Sequence, residues 1–117
     1  MSLHRRAVQR DTSEPGIVRA LTALGCSVQP LSGKDVPDLL VGIRGVNVLL
    51  ECKAAAGARG GTNHRNLTEG QTRWHSTWRG LKPYVVRTAD EALAAVRHAL
   101  DEADPLDVGG RQFGAAP

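Results

Sequence analysis

The stretch PDLLVGIRGVNVLLECK, running from Pro37 to Lys53, decides how the chain folds. Two β-rich runs, 38–43 and 46–53, flank Arg44-Gly45 and read as a hairpin. Side chains alternate along a strand, so Glu51 and Lys53 share one face and Cys52 points to the other. A two-residue loop at Arg44-Gly45 puts Asp38 opposite Glu51. A four-residue loop pairs Asp38 with Lys53 and keeps all three on one face, whereas a three-residue loop moves Asp38 to the Cys52 face. Arginine is a poor first residue for a type I′ turn, so the sequence leaves the loop length open.

On the N-terminal side, Glu14 to Leu24 spaces Ile17, Leu21 and Leu24 by three and four residues, with Val18 widening the stripe and Gly25 as a stop. That spacing predicts a helix. Pro15 suits its first turn, and Thr12, Ser13 or Glu14 is its cap. Cys26 to Leu31 reads as a short strand, and Lys34 to Pro37 as a polar turn. On the C-terminal side, Ala54 to Asn66 is rich in glycine and small residues and reads as a mobile loop. Thr68-x-x-Gln71 is a capping-box signature opening a helix to Trp78 or Arg79, before Gly80. Pro83 to Arg87 is a strand. Thr88-x-x-Glu91 opens a last helix with Leu93, Val96 and Leu100 on one face.

The order helix, three strands, helix, strand, helix predicts an α/β domain, a mixed sheet with helices on both faces. A basic arm over 1–13, one domain over 14–103 and a flexible tail over 104–117, where Pro, Gly and Ala dominate, complete the expected organisation. The 117 residues suit a single domain. With 41% hydrophobic and 23% charged residues, the composition excludes a disordered chain. No apolar run approaches the roughly 20 residues of a membrane span. Met1 to Arg10 lacks the apolar segment of a secretory signal, which predicts a cytoplasmic protein. Aromatic residues are only 3%, so the core must come from Leu, Val, Ile and Ala.

Cys26 and Cys52 are too far apart for a CxxC pair and read as buried thiols. Their spacing with His64 and His75 fits no common zinc pattern. Net charge is +3. The last 17 residues hold four acids (Asp101, Glu102, Asp104, Asp107) against Arg111, which leaves 14 bases and 8 acids, a net of +6, on residues 1–100. A basic body of this kind is the electrostatic footprint of a phosphate-backbone binder, although basic charge alone is weakly specific.

Asp38, Glu51 and Lys53 converge on the hairpin. Two carboxylates facing each other repel and need a cation. Lys53 supplies one charge, and oxygen ligands suit a hard divalent ion such as magnesium or manganese. For a hairpin in isolation, the simpler reading is a surface salt bridge between Glu51 and Lys53, with Asp38 capping a turn.

Pro37-Asp38, a twelve-residue gap and Glu51-Cys52-Lys53, set in this element order, resemble the PD-(D/E)XK nuclease signature. Within that superfamily the chain is most similar to the small Holliday-junction-resolvase-like and VRR-NUC-type nucleases. Their pattern maps onto Glu14, Pro37-Asp38, Glu51-Cys52-Lys53 and Gln71, over roughly 14–100. Two departures are Asp35-Val36, which displaces Gly33 from Pro37, and Pro15 beside Glu14. The resemblance implies that Asp38, Glu51, the backbone carbonyl of Cys52 and Glu14 bind the metal. It implies that Lys53 orients the attacking water and offsets transition-state charge, with Gln71 at the catalytic site.

Gln71 is explained equally by its capping box, and one glutamine is expected to satisfy only part of both roles. Trp74 and Trp78, four apart on one helix face, read as core packing for at least one ring, with His75 and Arg79 beside them. Arg59, Arg65, Arg73 and Arg79 against Glu69 form an expected phosphate-contacting surface, or else a solvated basic face. The resulting expectation is a magnesium- or manganese-dependent DNA endonuclease acting on branched or duplex DNA, as a homodimer and away from membranes. The alternative is a non-catalytic nucleic-acid-binding or assembly module of the same fold.

Overall fold

The computed structural model describes residues 13–54 and 66–103. The expected basic arm (His4, Arg5, Arg6 and Arg10), the loop bearing Arg59, His64 and Arg65, and the tail from Asp104 lie outside them. The element order is α1 (Glu14–Leu24), β1 (Ser27–Pro30), β2 (Leu39–Ile43), β3 (Val46–Cys52), α2 (Glu69–Thr77), β4 (Tyr84–Val86) and α3 (Ala89–Glu102). Boundaries fall within one or two residues of those read from sequence, the usual latitude at fraying ends.

The four strands lie side by side in sequence order. The pairs β1/β2 and β2/β3 are antiparallel, and β4 joins β3 in parallel after the crossover that contains α2. The hairpin uses the two-residue loop: Ile43 pairs with Val46 and Leu39 with Leu50, a register that carries Asp38 towards Glu51. Arg44 and Gly45 both take positive φ, 51° and 80°, the requirement of a type I′ turn. Arginine adopts it because the register on either side is fixed by burial.

Leu39, Val41, Val48, Leu50 and Cys52 face one side of the sheet and pack with Val86 against Ile17 and Leu21 of α1 and the inner face of α3. Ile17, Leu21, Leu39 and Leu50 are each at most 1% exposed, and full burial of such a side chain stabilises by about 1.5–3 kcal/mol. The expected aliphatic core is found, with both cysteines in it as free thiols. Two expectations need correction. Leu24 is half exposed, because α1's last turn overhangs a surface hollow beside Ile43, Leu93 and Leu100 instead of the sheet. The buried ridge of α3 is Ala92, Ala95, Val96 and Ala99, while Leu93 and Leu100 are only partly buried. Small side chains let that helix approach the sheet and α1 closely.

α2 lies on the opposite face, over Leu40 and Leu49. Helices therefore cover both faces of a mixed sheet, as the element order predicts. Among the described residues, no helix is long and apolar enough to cross a membrane.

Candidate active site

Three elements bring the acidic side chains together. Ser13 stands at the N-cap of α1 without capping it. Instead its hydroxyl donates to the Lys53 carbonyl at 3.0 Å, tying the start of α1 to the end of β3. Pro15 takes its place in the first turn. The anchor turns Glu14 inward, where it is 7% exposed. Carboxylate oxygens of Glu14 and Asp38 and the Cys52 sulfur lie within 4.8 Å of one another.

Asp38 immediately precedes β2, where the Leu31 amide donates to its carbonyl and its own amide donates to Leu50. Its Oδ2 accepts the Cys52 N–H at 2.7 Å, so the carboxylate bridges the ends of the two strands. Glu51 breaks the in-out alternation of β3: it sits on the Leu49 face yet is 1% exposed. α2 covers it. Gln71 Nε2 donates to Glu51 Oε2 at 3.3 Å, and His75 Nε2 lies 3.1 Å from Glu51 Oε1. Burial of the ring is the main cause that holds the His75 pKa below its ordinary value, the Lys53 charge adds to it, and Asp38 opposes. A neutral imidazole facing a carboxylate carries its proton on Nε2 and donates it. Lys53 is 8% exposed, and its backbone amide donates to Val86 at 2.9 Å.

The donor set suits a divalent cation. Glu14 and Asp38 offer hard oxygens, which match magnesium or manganese. The Cys52 thiol is a soft neighbour that such ions do not favour.

No family model and no curated protein matches the chain. Among solved structures it is similar to one described as a "VRR_NUC domain", at 26% sequence identity and a TM-score of 0.58, covering 74% of this chain and 91% of that one. The chain has a VRR-NUC-type nuclease fold.

On this VRR-NUC-type fold, the residues expected at the site from sequence fall into two groups of contacts. Glu14, Asp38 and Cys52 cluster, Gln71 touches Glu51, and Lys53 follows directly on the end of β3. Gln71 corrects the expectation of a divided role. Its Oε1 accepts from Thr68 N–H at 2.9 Å, completing the capping box, while Nε2 reaches Glu51. The two ends of one amide satisfy both partners.

The tryptophans also differ from expectation. They stack with ring centroids 4.8 Å apart, but Trp74 is only partly buried and Trp78 is 42% exposed, and neither joins the core. Arg73 and Arg79 lie exposed on and just beyond α2. His75 is a second partner of Glu51, one that the sequence pattern placed only beside the tryptophans. Its position four residues after Gln71 on the same helix face was the available signal.

Proposed function

We propose that the chain is a divalent-metal-dependent endonuclease that hydrolyses phosphodiester bonds in DNA, using magnesium or manganese, with branched or junction DNA preferred. The observation that carries this reading is the approach of Glu14 and Asp38 to the end of β3, within 4.8 Å, on a VRR-NUC-type fold. In this reading Glu14, Asp38, Glu51 and the Cys52 carbonyl hold the ion. A bound divalent ion lowers the pKa of a coordinated water and stabilises charge on the attacking and leaving oxygens.

The chain's own residues prepare that chemistry. Asp38 is held by the Cys52 amide, and Glu51 by Gln71 and His75, so neither carboxylate must reorganise. Lys53 orients the attacking water and offsets negative charge gathering on the phosphate. Arg59, Arg65, Arg73 and Arg79 contact backbone phosphates. One chain carries one site, and a twofold dimer supplies the second that two strands require.

The test is incubation with branched, single-stranded and duplex DNA in magnesium, manganese or chelator. Cutting is expected only with metal, and is lost in Glu51→Gln. Lys53→Ala is expected to keep metal affinity but lose most of the rate. Cutting in chelator, or at the parental rate by Glu51→Gln, overturns the site. DNA binding without cutting in any metal favours a binding module. A strictly monomeric species on branched DNA in sedimentation removes the dimer.

A further inference from the structure

The sheet face that carries Glu51 continues away from it as an apolar groove. Side chains of β3 on that face run from Glu51 to Leu49 and Asn47, and Leu49 pairs with Leu40 of β2. Leu40 and Leu49 line the groove together with Leu31, Trp74, Trp78 and Leu81, enclosing about 430 Å³. That volume falls within the range of about 300–1,000 Å³ typical of small-molecule sites. At one end Asn47 offers an amide donor and acceptor. Trp78 keeps 42% and Leu81 43% of their surface in solvent, a cost that folding alone does not explain.

The charge beside the groove identifies its occupant. From Arg73 to Lys82 the chain carries three cations, Arg73, Arg79 and Lys82, and no acid. Lys82 is turned onto the carbonyls of Ser76 and Trp78, closing the end of α2. Arg73 and Arg79, the immediate neighbours of the two tryptophans, form no ion pair among the described residues. A second copy docked symmetrically on this face would set like charges against one another. An anionic polymer with flat apolar faces meets both the cations and the rings.

We infer that this groove is a stacking subsite for an unpaired nucleobase of the substrate strand, seated against Trp78 beside Trp74. The inference rests on the nuclease reading and deepens it, because it selects substrates with unstacked bases near the cut. Along β3 the groove lies roughly 7–13 Å from Glu51, two to four residues at about 3.3 Å each, so a base close to the scissile phosphate reaches it. Aromatic rings are suited to this because stacking on a base is sequence-tolerant and favourable.

The two tryptophans are the chain's complete set, so tryptophan fluorescence, excited selectively over the single Tyr84, reports on this groove. The experiment titrates an oligodeoxythymidylate of about ten nucleotides, within the usual span of single-strand sites, into the protein in chelator. Quenching is expected. Trp78→Ala should weaken single-strand affinity by about fivefold or more while leaving affinity for blunt duplex unchanged, and Trp78→Phe should recover part of the loss. The exposed position spares the core, and the wild-type quenching stands without any variant.

Binding with unchanged fluorescence, or equal affinity in Trp78→Ala, overturns the subsite. A fluorescence change that follows protein concentration and ignores the oligonucleotide means that a second copy covers the groove, and also overturns it. Quenching that persists in Glu51→Gln supports the subsite independently of cleavage. Metal-dependent cutting with unquenched binding removes the subsite and leaves the nuclease. Quenching without cutting in any metal removes the nuclease and leaves the subsite.

Discussion

Asp38 has two demands on one carboxylate. Its Oδ2 holds the Cys52 amide at 2.7 Å, and its charge lies close to Glu14. Asparagine keeps an acceptor oxygen but not the charge. Asp38→Asn should therefore abolish metal-dependent cutting while changing unfolding free energy by less than about 1 kcal/mol, since loss of repulsion offsets the weaker bond. Asp38→Ala removes the acceptor and should lower stability by about 1.5–3 kcal/mol, the worth of a hydrogen bond to a charged group. Denaturant melts of the three proteins, alongside a cleavage assay, check both. Equal stability of the alanine and asparagine variants would show that the strand-end bond contributes nothing. Gln71 can be divided in the same way. Glutamate there still accepts from Thr68 N–H, but it loses the donor and sets a second negative charge against Glu51. Gln71→Glu is expected to keep the helix and cut DNA at least about tenfold more slowly, a loss of 1.36 kcal/mol in barrier terms. Full activity would reduce Gln71 to a cap.

At the level of elements, the local signals hold where they act over three or four residues. Thr68 and Thr88 both accept from the amide three residues on, Gln71 and Glu91, at 3.1 Å each. The second motif is not a closed box, for Glu91 Oε1 accepts from Arg87 N–H instead of from Thr88. Its carboxylate thereby fixes the residue leaving β4. The hairpin turn is the element whose sequence and conformation conflict. Arg44 sits at φ 51°, where a side chain with a Cβ is disfavoured by about 1–2 kcal/mol and asparagine is tolerated. Arg44→Asn is expected to stabilise the protein by up to about 1 kcal/mol, read as a higher denaturation midpoint with unchanged m. A fall in midpoint would mean that the arginine side chain makes a compensating contact.

For the molecule as a whole, charge and topology act together: the sheet presents Glu51 on the face that α2 covers, and α2 carries exposed arginines beside it. If Arg73 and Arg79 contact phosphates, replacing both with Gln should weaken binding to all DNA sequences alike. It should also reduce the slope of log affinity against log salt by nearly two for duplex, about 0.9 per contact. An unchanged slope would assign the phosphate contacts elsewhere. Element order, the strand that carries Glu51, and the N-caps of α2 and α3 were determined by the sequence alone. These depend on periodicity and on bonds spanning three or four residues, which the chain carries wherever it goes. The choice among hairpin loops, the inward turn of Glu14, the hydrogen bond from Gln71 to Glu51 and the hold of His75 on Glu51 were decided only by tertiary structure. Their partners lie 20, 24 or 40 residues away, as in Gln71 to Glu51, His75 to Glu51 and Ser13 to Lys53. So too were the exposure of Leu24 and the half-open tryptophan stack, because a periodic stripe says which face is apolar but not how far the opposing surface extends. That extent is set by packing between elements distant in the chain, and no local pattern encodes it.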